Sequence, residues 1–263
     1  MSVYAVYQAY AVREEREAVV AKEDETEEVS LWERLDRPQA APRASLTPQR
    51  IAEVAVDLAD REGFAAVTMR RIATELGVAP MAAYRHVSGK DDLWALMVDR
   101  VSAEMEPAEP PGSWRETLRA YAVRTRTMMV RHPWLAQLPM PLFALTPNRM
   151  AAAERQLASL DGQGLDVDTM MAAFRTVSSF VQGATQAEVA LAQYMREQGW
   201  ESPDETRRAL APQMRYLMET GRYPTFRRYT EAAARKDDAK WQFETGLECV
   251  LDGLAGLVER GGA

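Results

Sequence analysis

Between Val67 and Lys90 the chain reads VTMRRIATELGVAPMAAYRHVSGK, and this stretch holds the side chains best suited to meeting a polyanion. Tyr84, Arg85 and His86 stand in a row, Lys90 follows, and Arg70 and Arg71 precede them. From 68 to 90 four bases (Arg70, Arg71, Arg85, Lys90) face one acid, Glu75, a local excess of three in a chain whose formal net charge is −7. Concentrated positive charge on an acidic protein is the footprint of phosphate contact. Phosphate contacts position a protein on DNA, whereas base-edge contacts select sequence. A guanidinium fork fits guanine O6 and N7 together, which makes Arg70 the best candidate for reading a base. The overall acidity argues against a protein that coats nucleic acid, but not against one that touches it through a small patch.

Such side chains need a mount, and the same stretch supplies one. Thr68 is placed to cap a helix, because its hydroxyl can accept from a first-turn amide. Ile72 and Leu76 face one way, with Ala73 beside them. Gly77 follows where a left-handed residue ends a helix at little cost. Pro80 fits the first turn of the next helix, to about His86, which is too short to be stable alone. Val78, Ala83 and Val87 can point inward, leaving Met81, Ala82, Tyr84, Arg85 and His86 largely outside. Helix, glycine turn and exposed second helix form a helix-turn-helix pattern. Before it, Thr47 caps a helix to about Glu62 whose inward face is Ile51, Val54, Ala55 and Leu58, and Phe64 plugs the three-helix core. After it, a fourth helix runs from Lys90 to about Met105.

Here the residues resemble a known family. Arg50-Ile51, Ala55, Gly63-Phe64, Thr68-Met69-Arg70-Arg71-Ile72-Ala73, Leu76-Gly77-Val78, Tyr84-Arg85-His86-Val87 and Lys90-Asp91-Asp92-Leu93 resemble the TetR/AcrR repressors over about Leu46 to Val101. A His132-Pro133-Trp134 element resembles them more loosely. The resemblance implies a dimer on a near-palindromic site of double-stranded DNA, released by a small apolar or aromatic effector. It implies phosphate contacts from Tyr84, His86 and Lys90, joined by Thr68. It places Pro80, Met81 and Ala82 against the bases, where Met81 and Ala82 bring no hydrogen bonds, only contact with thymine methyls. That shifts specificity toward Arg70, Arg85 and an arm. Met69 completes the matched set, and Arg43 is the arginine nearest the module on an arm able to enter the minor groove.

Elsewhere the chain reads as all-α, since no period-2 strand pattern of any length occurs. Residues 1–45 form an acidic extension and an Arg/Pro arm, 46–105 the DNA-binding domain, and 113–260 a helical regulatory and dimerisation domain. From 11 to 28 eight acids oppose three bases, most of the net charge, which suits a solvated helix or tail better than an arm that mimics DNA. Trp32 and Leu35 can anchor the following linker. PAEPPG, within 106–112, marks the domain boundary, and Ser113 with Glu116 forms a capping box. Asp166 caps a helix to about Gln198. The last helix, from Asp238 to about Arg260, carries Phe243, Leu247, Val250, Leu251, Leu254 and Val258 on one face. The resemblance makes this face half of a dimer interface; an internal packing face is the alternative. Trp134, Phe143, Met150, Met171, Phe174, Phe180, Gln182 and Tyr194 are candidates for an effector pocket, although apolar pockets and cores share composition.

One cysteine, Cys249, excludes an intramolecular disulfide and suits a reducing cytoplasm. No signal peptide, membrane span, metal-ligand spacing, P-loop or GxSxG motif stands out, so neither a metal nor a cofactor is expected. An enzyme is the distant rival; an activator, or a DNA-binding regulator without an effector, is the nearer one.

Overall fold

The computed structural model describes residues 30–36, 46–107, 112–138 and 145–261, all of whose regular elements are helical. Most of the acidic extension, Arg43, Phe143 and the centre of the proline-rich break lie outside these residues. The chain divides into two compact units that do not follow chain order: residues 1–103 with 137–151, and residues 104–136 with 152–263.

In the first unit α1 (Leu31–Asp36) precedes α2 (Pro48–Glu62), α3 (Met69–Leu76), α4 (Pro80–Tyr84) and α5 (Lys90–Ser102). Local chemistry sets each boundary. Thr47 accepts from the Arg50 amide and Pro48 stands in the first turn, so α2 starts where both favour it. Ile51, Ala55 and Leu58 of α2, Ile72 and Ala73 of α3, Ala83 and Val87 around α4, and Met97 and Val98 of α5 form the core. Each large apolar side chain so buried contributes about 1.5–3 kcal/mol. Phe64 packs its ring 5.6 Å from that of Trp94. Trp32 and Leu35 are half-buried on α1, as the anchoring role requires, and Arg34 Nη2 donates to Asp92 at 2.6 Å. The start of α7 (Pro147–Leu160) belongs to this unit through Asn148, whose main-chain N–H and Nδ2 bond the Asp99 carboxylate at 2.8 and 2.9 Å.

The second unit is built on α6 (Trp114–Arg131), α8 (Val167–Glu197) and α11 (Ala239–Gly261), with the rest of α7, α9 (Pro203–Glu219) and α10 (Pro224–Ala232). Its core joins Leu118 and Ala122 of α6, Leu160 of α7, Val177 and Val181 of α8, and Leu247 and Leu251 of α11. Arg126 ties the three long helices together. Its guanidinium makes two bonds to Glu188, at 2.9 and 2.7 Å, and lies 5.2 Å from the Phe243 ring centre. By contrast α9 and α10 bury none of their residues, although they carry Leu210, Tyr216, Phe226 and Tyr229. Among the described residues no helix is long and apolar enough to cross a membrane.

Phe243, Leu247, Leu251 and Leu254 correct the interface reading. All four are buried within this chain's own core. A 3.6-residue stripe shows that a face is covered, not what covers it. Val250 and Val258 are half-buried.

Candidate nucleic-acid interface

The interface begins with how α3 ends. Thr68 Oγ1 accepts from the Arg71 amide at 3.2 Å and opens the helix. At the far end Gly77 adopts φ 65°, ψ 29°, a left-handed conformation that a Cβ would strain. The Val78 amide then bonds the Ala73 carbonyl and the Gly77 amide bonds that of Thr74, the paired bonds of a Schellman end. Pro80 starts α4 after this turn. The helix stops at Tyr84, earlier than the pattern suggests, because the Val87 and His86 amides both fold back onto the Ala83 carbonyl.

Ala83 and Val87 are fully buried and hold the short helix down. Everything else on it faces out or is only partly covered. Met81 is 69% exposed and Tyr84 47%. Pro80 and Arg85 are exposed, while Ala82 and His86 are half-buried. Thr68, Arg70 and Lys90 are exposed as well. The exception in the matched set is Met69, which is 8% exposed and belongs to the core. The resemblance counted it among the contacts, but the first turn of α3 buries this side chain.

The charges divide by partner. Arg71 Nη2 lies 2.8 Å from Glu62 and 3.2 Å from Glu75, so it braces the end of α2 against α3. Among the described residues, Arg70, Arg85 and Lys90 make no ion pair. Arg71 and Glu75 cancel, and these three cations therefore carry the whole local excess of three. Sequence alone singled out Arg70 but could not show that Arg71 is held by Glu62, which the fold brings close. It also could not find the tie between Arg34 and Asp92, 58 positions apart, which attaches α1 to the first turn of the helix that Lys90 opens.

The effector candidates among the described residues are scattered rather than gathered in one place. Trp134 is 1% exposed, in the core, its ring 6.0 Å from that of the buried His132. Met150 lies in the first unit and is 49% exposed, and Gln182 and Tyr194 face outward. Met171, Phe174 and Phe180 are half-buried on α8, Phe180 against Phe243. A cleft of about 430 Å³ opens instead between α6 and α7, bordered by the chain leading into α6. Its lining includes Met105, Tyr121, Arg124, Arg155 and Gln156, and none of the seven candidates among the described residues. Among the described candidates only Trp134 is a core residue, and a cleft walled by alanines and arginines gives no signal to a reading for aromatic and methionine side chains.

Comparison with known proteins bears on both units. Residues 51–97 match the model described as bacterial regulatory proteins, tetR family, and residues 106–258 match the tetracyclin repressor-like C-terminal domain. The HTH-type transcriptional repressor DrrR1 of Streptomyces coeruleorubidus is 35% identical over 233 residues, covering 87% of this chain and 84% of its own. The structure of ActR from Streptomyces coelicolor with actinorhodin superposes with a TM-score of 0.64 at 31% identity, over 81% of this chain and 98% of that one. BioQ with its double-stranded DNA operator superposes at 0.51 and 27% identity, over 57% of this chain and 90% of that one. With family models matched along most of its length, the chain belongs to the TetR family of transcriptional regulators, which are not enzymes.

Proposed function

We propose that the protein is a homodimeric repressor that holds a near-palindromic DNA site and leaves it when a small apolar or aromatic molecule binds its helical body. The observation that carries this reading is α4, which hides only Ala83 and turns Met81 and Tyr84 to solvent beside Arg70, Arg85 and Lys90, which make no ion pair among the described residues. A helix of about one and a half turns would not otherwise keep such a face outward. Residues 46–105 form the DNA-binding domain and 113–260 the regulatory one. Arg70 reads a guanine edge in the major groove, while Tyr84, His86 and Lys90, with Thr68, hold phosphates on either side.

The dimer uses outer faces of α8 and α11 other than the buried leucine stripe. On α8 Ala172, Thr176, Ser179, Gly183, Ala187 and Ala190 fall on one exposed face. On α11 Cys249 and Gly253 are exposed, and a Cβ added at Gly253 would meet nothing within 4 Å. Small side chains let two helix pairs approach closely, which supports a four-helix contact between copies. Two recognition helices would then stand about 34 Å apart or somewhat more, in successive major grooves. An effector shifts this separation only if it prefers one arrangement. Further support comes from the relatives: DrrR1 is a repressor by name, and ActR was solved with actinorhodin and with (S)-DNPA.

The test is selection of random duplexes by the full-length protein, followed by sedimentation of the recovered complex. A palindromic site bound by an even number of subunits is expected. If folded protein at low salt recovers no preferred sequence, the reading fails.

A further inference from the structure

From the cleft between α6 and α7 we infer a binding site for a hydroxylated aromatic carboxylic acid, as the effector whose existence the repressor reading assumes. Two cations and one buried acceptor make this site. Arg124 is half-buried, and Nη1 donates to the main-chain carbonyl of Glu106 at 2.8 Å. Among the described residues no carboxylate pairs with it. Arg155, its side chain 32% exposed, reaches only the Glu106 carboxylate, at 3.4 Å, and that carboxylate is 65% exposed. So long and solvated a pair is weak. The cleft therefore holds two guanidiniums with at most one exposed acid between them.

Gln156 supplies the independent observation. It lines the cleft, is 1% exposed, and its Oε1 has no hydrogen-bond partner among the described residues. Its Nε2 donates to the Ala152 carbonyl at 2.9 Å, which fixes the orientation of the carboxamide. Turning the group over would set two carbonyl oxygens against each other. A buried acceptor left without a donor is costly, and one in a cleft is accounted for by a ligand that brings the donor. The remaining walls include Met105, Ala120, Ala152 and the Tyr121 ring, which suit a flat apolar body. A volume of about 430 Å³ is within the range of small-molecule sites. A carboxylate for the arginines, a hydroxyl for Gln156 and an aromatic ring between them satisfy all three demands.

The probe is 6-hydroxy-2-naphthoate, whose carboxylate and hydroxyl stand at opposite ends of the ring, compared with its carboxamide by calorimetry on the full-length protein. The acid is expected to bind at least about tenfold more tightly than the amide, the scale of a charge-assisted hydrogen bond. Arg155→Gln and Arg124→Gln each lower acid affinity toward that of the amide, and Arg155→Lys retains part of the preference. Glu106→Gln, which removes the competing carboxylate, tightens acid binding. Arg155→Gln carries the test if Arg124→Gln melts early, since Arg155 makes only the weak contact. Absence of acid binding at millimolar concentration, equal binding of acid and amide, or full preference in Arg155→Gln would overturn the assignment. A DNA-shift assay with the selected operator separates it from the reading it rests on. Arginine-dependent acid binding that leaves the operator complex intact keeps the site and refutes release. A neutral compound that releases operator from Arg155→Gln and wild type alike, while the naphthoate does not bind, keeps release and refutes the site.

Discussion

Lys90→Ala and Arg71→Ala remove the same unit of charge from the same unit of the fold, yet they should act differently on DNA. Lys90 is exposed at the first position of α5 and makes no ion pair among the described residues. Arg71 is held by Glu62 at 2.8 Å and Glu75 at 3.2 Å. Each phosphate neutralised contributes about 0.9 to the slope of log affinity against log salt. Between roughly 50 and 200 mM salt, a fourfold change, one lost contact alters the loss of affinity by about 3.5-fold. For a dimer with one such lysine per half-site the factor is about 12. Arg71→Ala should leave the slope close to wild type and lower stability by at most about 1 kcal/mol, because its pairs are solvent-exposed. Fluorescence anisotropy on the selected operator across a salt series measures both slopes, and thermal melting measures stability. Equal slope changes in the two variants would mean that a diffuse field, not a contact at Lys90, governs binding. A larger change for Arg71 would refute the division of charges by partner.

The other expectations concern specificity and helix packing. Arg70→Ala should cost about 1–3 kcal/mol on the matched operator and relax discrimination at one base pair in each half-site; equal losses on matched and mismatched duplexes would remove it from base reading. Gly246→Val should lower stability by about 1–3 kcal/mol, because even a Cβ there would stand 2.7 Å from Phe180 Cε2, so an unchanged melting temperature would contradict that approach. Gly253→Leu should weaken the dimer in sedimentation, because within the chain nothing lies within 4 Å of a Cβ there and only a second copy could meet the leucine; a dimer indifferent to leucine excludes that face. Arg119, and after it Arg115, hold the Glu248 carboxyl below the usual range. Its stabilising contribution is therefore present above the ordinary glutamate pKa and is lost as pH falls through the depressed value. The stability difference between wild type and Glu248→Gln should shrink in that acid window, and a difference that grows there would reverse the sign.

What was legible in the sequence was what short-range geometry decides. Thr68, Gly77 and Pro80 act through hydrogen bonds and φ angles within a few residues, so the caps, the turn and the exposed recognition helix could be placed from the letters alone. Thr47, Ser113 and Asp166 cap their helices for the same reason. Partners across the fold were not legible. Arg70 and Arg71 are neighbours of one type, and that Arg71 is a bracing residue shows only in the return of Glu62 at the end of α2.

The apolar stripes of the second unit illustrate the same limit with a further consequence. A face buried inside the chain is not available to a partner, and α11 packs Phe243, Leu247, Leu251 and Leu254 against α6 and α8. Glycine in a helix costs about 1 kcal/mol relative to alanine, so its presence calls for a compensating approach. Gly246 finds that approach within the chain, at Phe180, and therefore says nothing about a dimer. Gly253 finds none, although it is exposed in the same helix. The support for the proposed association is thus not the large residues that recur along α11 but a small one left without a neighbour, and only coordinates distinguish the two glycines.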